Sequence, residues 1–150
     1  MKILRKTAYI MIGIPGSGKS TWIEKNLSRN IRIISKDQIR IDLGIMKDTR
    51  KAIGTKEEEE KVKDIFDIQL HDTLDSGKSF VIDNTNLGTG LEDLVNLIRK
   101  FGYRVIGVRI NTPLSVCIQR RPEIPRKTIE DMYKNLGKIK GGIFDTLIDS

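Results

Sequence analysis

Apolar residues follow two periods along the chain, and the change from one period to the other separates strands from helices. Short unbroken apolar runs bounded by polar residues or glycine predict buried strands. These runs lie at 7–12, 32–34, 79–82, 103–110 and 143–148. Apolar residues spaced three and four apart predict amphipathic helices. Helices of this kind are predicted at 20–27, 37–43, 56–74, 91–101, 113–120 and 127–136. Strands that alternate with helices predict a parallel sheet with helices on both faces.

The predicted helix at 56–74 has the clearest start. Thr55 is a suitable N-cap, and acidic residues fill the first turn, near the positive end of the helix dipole. The acidic run Glu57–Glu60 therefore indicates the solvated start of a helix rather than a metal site. Polar residues at 48–55 predict a loop before this helix, and residues 75–78 predict a turn after it.

Length and composition fit one globular domain that covers residues 1–150. The chain is 38% hydrophobic and 31% charged, as is typical of a water-soluble fold. No apolar run approaches the roughly 20 residues that span a bilayer. Residues 1–6 are too few and too charged for a signal peptide. The single Cys117 cannot form an internal disulfide, so we expect a cytoplasmic protein without membrane association.

Charge is distributed unevenly along the sequence. Residues 1–40 carry a net charge of +7, residues 41–98 carry −6, and residues 99–140 carry +8. Two basic segments on either side of an acidic one predict a basic surface that attracts a polyanion. The alternative is a set of solvated surface lysines with no partner.

Residues 13–20 read Gly-Ile-Pro-Gly-Ser-Gly-Lys-Ser, which is a complete G-x-x-x-x-G-K-S motif between a predicted strand and a predicted helix. Glycines let such a loop fold around an anion, so that its amide groups point at phosphate oxygens. Lys19 then reaches the β- and γ-phosphates of ATP, and the Ser20 hydroxyl reaches Mg²⁺. The predicted nucleotide-binding residues are Gly13, Pro15, Gly16, Ser17, Gly18, Lys19, Ser20 and Thr21. An ordinary glycine turn is the alternative.

Two carboxylates follow other predicted strands, at the sheet edge where the functional groups of such folds collect. Asp83 comes directly after the apolar strand 79–82, which suits a Mg²⁺ ligand, although it is also compatible with a strand-end cap. Asp37 follows the second strand, and Arg40 lies one helical turn later. Asp37 is a candidate base for a hydroxyl acceptor, with Arg40 holding an acceptor phosphate or fixing the carboxylate. The alternative is a helix-start residue that simply pairs with Arg40.

Together these motifs resemble the polynucleotide 5′-hydroxyl kinase family. The resemblance covers residues 7–136. It rests on the phosphate loop with Trp22, on Ile-Ser-Lys-Asp-x-x-Arg at 34–40, on Val-Ile-Asp-Asn-Thr-Asn-Leu at 81–87, on Ile-Pro at 124–125 and on Ile-x-x-Met at 129–132. The second and third of these motifs are far more restrictive than the phosphate loop. Lys36 stands where the family usually has arginine.

The resemblance implies a role for each matching residue. Asp37 corresponds to the general base and Arg40 to the contact with the acceptor phosphate. Asp83, Thr85 and Asn86 correspond to a strand-end motif near the metal and the acceptor. A short lid at about 120–127 would place either Arg120 or Arg121 over the transferring phosphate.

The sequence thus predicts a three-layer α/β P-loop kinase fold, with a central parallel sheet flanked by helices and a short lid. We expect ATP-dependent transfer of the γ-phosphate to the 5′-hydroxyl end of DNA or RNA, with Mg²⁺ as cofactor. One alternative is a kinase of a small metabolite or nucleoside, which needs no basic track. Another is a non-catalytic ATP-binding module, which has no use for Asp37. The preference for DNA or RNA and the oligomeric state are left open.

Overall fold

A parallel sheet organises the chain in the structure, a computed structural model that describes residues 6–45 and 55–150. The strands within these residues are β1 (Thr7–Ile12), β2 (Arg32–Ile34), β3 (Phe80–Ile82), β4 (Arg104–Arg109) and β5 (Thr146–Asp149). The helices are α1 (Lys19–Asn26), α2 (Lys36–Asp42), α3 (Lys56–Ser76), α4 (Leu91–Lys100), α5 (Leu114–Arg120) and α6 (Arg126–Gly137). Apart from Thr55, the predicted loop at 48–55 lies outside the described residues.

The strand order is β2-β3-β1-β4-β5, and every neighbouring pair is parallel. The central strand β1 pairs with β3 on one side and β4 on the other. Because both of its faces are covered, β1 reads as a nearly continuous apolar run. This order brings the ends of β1, β2 and β3 together at one edge of the sheet.

Helices cover both faces of the sheet. On one face, α3 and α4 pack with α2 against a cluster that includes Ile10, Ile34 and Ile82. On the other face, α1 packs against a smaller cluster around Met11, Val81 and Val108. The predicted three-layer α/β arrangement is therefore confirmed.

The ends of α3 follow local capping chemistry. Thr55 Oγ1 accepts a hydrogen bond from the amide of Glu58, and the Glu58 carboxylate accepts one from the amide of Thr55, which is a capping box. Gly77, at φ 70°, ends the helix in the left-handed conformation. The turn predicted at 75–78 is wrong in its first half, because Asp75 and Ser76 complete the last helical turn.

The predicted lid corresponds to the last residue of α5, the connection at 121–125 and the first turn of α6. Below it, Ile14 of the loop after β1 packs with Cys117 of α5 and Ile129 of α6, and all three are buried. This small apolar cluster fixes the lid helices against the phosphate loop. In the described parts of the chain, no helix has both the length and the apolar character needed to cross a membrane.

Candidate functional site

The segment between β1 and α1 folds as a loop around a small concave space. Gly16 and Gly18 have φ values of 80° and 97°, which side chains rarely tolerate. A Cβ at Gly13 would lie 2.6 Å from Ser17 Oγ, so the tight turn requires glycine there. Thr112 lies after β4, and its Oγ1 donates a 2.6 Å hydrogen bond to the carbonyl of Ser17. This bond connects the loop to the end of β4, the neighbour of β1 in the sheet.

Two features of this loop fit an anionic ligand. The Ser17 hydroxyl is buried and has no hydrogen-bond partner among the described residues. No side chain caps the start of α1, so the first amides of that helix are left for an external acceptor. Phosphate oxygens would satisfy these groups and also meet the positive end of the helix dipole. The residues present therefore fit the triphosphate of a nucleotide.

Lys19 points into the loop. Its Nζ donates to the carbonyl oxygens of Gly13 at 3.1 Å and Ile14 at 3.4 Å. Burial lowers the pKa of Lys19, and the nearby carboxylates of Asp83 and Asp37 act in the opposite direction. Lys19 is thus a desolvated cation within electrostatic reach of both candidate carboxylates.

Asp83 stands at the end of β3, across from the start of α1. Its Oδ2 accepts a 3.0 Å hydrogen bond from Ser20 Oγ. Burial raises the pKa of Asp83, while Lys19 and the Ser20 hydroxyl lower it. A hydroxyl and a carboxylate at this spacing suit Mg²⁺, which binds few protein ligands and completes its shell with phosphates and water. No larger His, Cys, Asp and Glu cluster suited to a metal occurs in the described ranges.

Asp37 belongs to the first turn of α2, where the side chain of Ser35 caps the helix by accepting from the amide of Gln38 at 3.2 Å. Asp37 Oδ1 accepts a 2.7 Å hydrogen bond from Arg40 Nη1. Arg40 in turn binds Glu59 of α3 through both Nε, at 3.0 Å, and Nη2, at 2.7 Å. The hydrogen bond to Glu59 is the main cause of a raised Arg40 pKa. The guanidinium therefore bridges two carboxylates on different helices.

The residues after β3 lock the loops together. The carbonyl of Thr85 accepts a 3.3 Å hydrogen bond from the amide of Gly13. Asn86 has a φ of 54°, and its side-chain amide donates to the carbonyl of Met11 at 2.7 Å. Asn84 Oδ1 accepts a 2.9 Å hydrogen bond from the amide of Lys36, which joins the start of α2 to the end of β3.

Arg120 and Arg121 both lie against the phosphate loop, but they differ in their contacts. Arg120 is exposed and donates from Nη1 to the carbonyl of Gly16 at 3.0 Å. Arg121 is 19% exposed, forms an ion pair with Glu123, and is close enough to Lys19 to lower the pKa of that lysine. Arg121 is therefore the less exposed of the two arginines beside the phosphate loop.

A cavity of about 450 Å³ opens beside Asp37, between α2, α3 and the residues that follow β3. Its polar lining includes Lys36, Arg40 and Lys63, and its apolar lining includes Phe66 and Leu91. The cavity is large enough for a nucleoside-sized group. Asp37 lines this cavity and also lies within electrostatic reach of Lys19 in the phosphate loop.

The structure thus brings Lys19, Ser20, Asp37 and Asp83 together at one edge of the sheet, with Arg120 and Arg121 on the lid side. Sequence reasoning missed Asn84 and Glu59. Glu59 belongs to the acidic run Glu57–Glu60, whose pattern indicates the solvated start of a helix. The need of Arg40 for a second counter-ion is the one signal that could have indicated Glu59.

Comparisons with known proteins agree with this architecture. Residues 9–136 match an AAA domain family, AAA_33. A comparison with curated protein sequences finds no match. A chain in the structure of the Pnkp1/Rnl/Hen1 RNA repair complex is 20% identical, with a TM-score of 0.75. That alignment covers 91% of this chain but 46% of the other, so this chain spans about half the length of that relative.

Small-molecule kinases share the fold as well. A gluconokinase from Sinorhizobium meliloti is 16% identical with a TM-score of 0.58, and the alignment covers 98% of this chain and 83% of that one. The APS kinase CysC of Mycobacterium tuberculosis, solved with AMPPNP and APS, is 17% identical with a TM-score of 0.54. There the coverage is 98% of this chain and 90% of the other.

The phosphate loop and the five-stranded parallel sheet define a nucleotide-binding domain with the P-loop kinase fold. The chain belongs to the AAA domain family, since the match covers most of its length.

Proposed function

We propose that this protein transfers the γ-phosphate of ATP to the 5′-hydroxyl end of DNA or RNA. One observation carries the proposal: Asp37, held by Arg40, lines a cavity suited to the acceptor and lies within electrostatic reach of Lys19 in the phosphate loop. A domain that only binds ATP has no need for an oriented carboxylate at that point.

On the donor side, the loop amides and Lys19 hold the β- and γ-phosphates, and the Ser17 hydroxyl supplies a further donor. Ser20 and Asp83 would hold Mg²⁺, which neutralises charge on the β- and γ-phosphates when bound. The hydrogen bond between Ser20 and Asp83 keeps these two oxygen ligands side by side.

On the acceptor side, Asp37 orients the 5′-hydroxyl and accepts its proton as the oxygen attacks the γ-phosphorus. A new bond forms between the 5′-oxygen and phosphorus, and the bond between the γ-phosphorus and the β,γ-bridging oxygen breaks. ADP leaves with the electron pair of the broken bond. Arg40 fixes one oxygen of Asp37 and leaves the other for the hydroxyl.

The lid arginines complete the site. Arg121, whose side chain lies beside Gly16 of the phosphate loop, stabilises negative charge on the transferring group. Arg120 fixes the loop through the carbonyl of Gly16. Thr85 and Asn86 hold the acceptor-side loop in register with β1.

The likeness to a chain of an RNA repair complex supports a nucleic-acid acceptor, as does the +8 charge of residues 99–140. A second candidate is a small-molecule kinase, which is supported by the gluconokinase and APS kinase likenesses over nearly the whole chain. The two candidates share the donor site and differ in what the acceptor cavity binds.

Transfer of radiolabel from ATP to a 5′-hydroxyl oligonucleotide, beside nucleosides and small polyols, tests the proposal. We expect labelled oligonucleotide, with a rate that falls steeply as salt is added, because strand phosphates release counterions on binding. The Lys19→Met variant, which cannot hold the β- and γ-phosphates, is the negative control. A salt-insensitive reaction that prefers polyols or free nucleosides would favour the second candidate.

A further inference from the structure

The cations that line the acceptor cavity differ in how far their charge is already compensated. Arg40 is 14% exposed and uses Nε, Nη1 and Nη2 to bind the carboxylates of Asp37 and Glu59. A phosphate that approached this guanidinium would meet two carboxylates already in place. Arg40 is therefore built to orient Asp37 rather than to bind an acceptor phosphate.

Lys36 and Lys63 have no such partners in the described part of the chain. Among residues 6–45 and 55–150, no carboxylate lies within ion-pair distance of either ammonium group. Lys36 Nζ lies 5.3 Å from the centre of the Phe66 ring, which is a cation–π contact. Lys63 is three residues before Phe66 on α3, so it lies on the same helix face and lines the same cavity.

The rest of the cavity suits an acceptor with an apolar part and a charged part. Phe66, Leu87 and Leu91 provide apolar surface beside the two lysines. Asp67 also lines the cavity and opposes an anion there. Asp67 lies four residues after Lys63 and carries the opposite charge, so removal of each charge should have opposite effects on the binding of an anion.

We propose that Lys63, together with Lys36, binds the phosphate of the acceptor strand that lies nearest the reacting 5′-hydroxyl. The first nucleoside then packs against the apolar surface while Arg40 holds Asp37. This assignment rests on the proposed function, and it transfers the phosphate contact from Arg40 to Lys36 and Lys63.

The test compares two acceptors: a 5′-hydroxyl oligonucleotide, and the same molecule with a neutral methylphosphonate at its first internucleotide linkage. Lys63→Met should raise KM for the charged acceptor by on the order of tenfold and leave kcat and the KM of the neutral acceptor unchanged. Asp67→Asn should lower KM for the charged acceptor alone. Lys61→Met, on the exposed surface of the same helix and outside the cavity, is the matched control.

The assignment would be overturned if Lys63→Met changed KM equally for both acceptors, or by no more than Lys61→Met does. Transfer by the wild-type protein would still support the proposed function in that case. Absence of transfer by the wild-type protein to either oligonucleotide would instead overturn both. A rise in KM for the charged acceptor on Asp67→Asn would also contradict the assignment, since removal of a negative charge should favour an anion.

Discussion

Arg40 and Glu59 are joined by two parallel hydrogen bonds, although they lie 19 residues apart and on different helices. The guanidinium forms a fork that matches the carboxylate, a geometry that lysine cannot reproduce. Because Arg40 also binds Asp37, the position of the proposed base depends on a residue of α3 that does not line the acceptor cavity.

Glu59→Gln should therefore slow catalysis from a distance. Among the described residues, loss of the negative charge leaves Asp37 as the only carboxylate paired with Arg40, which draws Asp37 away from a hydroxyl. We expect kcat to fall about tenfold with little change in KM for ATP, and a stability loss of about 1–3 kcal/mol in urea unfolding. Glu60→Gln, at the exposed neighbouring position, is the control and should behave like the wild type. A Glu59→Gln protein with unchanged kcat would contradict the positioning role.

Asp37→Asn keeps the size of the side chain and an acceptor oxygen but cannot take up a proton. Loss of a general base typically costs about 10²–10⁴ in rate. The affinity for ATP should be nearly unchanged, because the phosphate loop follows a different strand. The free energy of unfolding should also change little, because the ion pair between the half-exposed Asp37 and Arg40 contributes at most about 1 kcal/mol. Single-turnover rates and ATP titration measure the two effects separately. Full activity in a stable variant would refute the proposed mechanism.

The two lid arginines should differ in their effect on rate. Arg121→Ala removes a charge beside the phosphate loop and should lower kcat by about 10²–10³, the usual effect of one transition-state donor. Arg120→Ala removes only a hydrogen bond to the carbonyl of Gly16 and should cost less than about tenfold. Steady-state kinetics on both variants, at saturating ATP, makes the comparison. Equal losses, or a larger loss for Arg120→Ala, would reverse the assignment.

Asn86 combines a left-handed backbone with a side-chain hydrogen bond to Met11. Asn86→Ala loses both the amide and the tolerance of positive φ, and should cost about 2–4 kcal/mol in unfolding free energy. Asn86→Gly keeps the backbone freedom and loses only the amide, so it should cost about 1–2 kcal/mol. Urea unfolding of both variants separates the two contributions. A glycine variant less stable than the alanine variant would show that backbone strain is unimportant at this position.

The elements of the fold were largely readable from the sequence. Buried strands and amphipathic helices leave strong local patterns, and the strand 7–12 and the start of α3 at Lys56 were predicted to the residue. The predicted ends of helices and strands are wrong where local sequence signals compete. The last strand begins at Thr146 rather than residue 143, because Gly141–Ile143 forms a 3-10 turn that an apolar run cannot reveal.

The site was predictable only where a motif fixes spacing along the chain. The phosphate loop does so, and the strand-end positions of Asp37 and Asp83 placed them at the correct edge. Contacts between distant elements, such as Arg40 with Glu59 and Thr112 with the Ser17 carbonyl, depend on the strand order and on helix packing. No local pattern in a single sequence records such contacts.

The central position of β1 has a consequence for how the chain folds as it is synthesised. Ala8 pairs with Phe80 and with Val105, so β1 is synthesised long before either of its neighbours in the sheet. Parallel pairings over such sequence separations are slow to form. Until β4 has emerged, the apolar strand β1 and the phosphate loop after it lack part of the sheet that surrounds them in the folded protein. Nascent chains that end before β4 are therefore expected to be the most prone to aggregate.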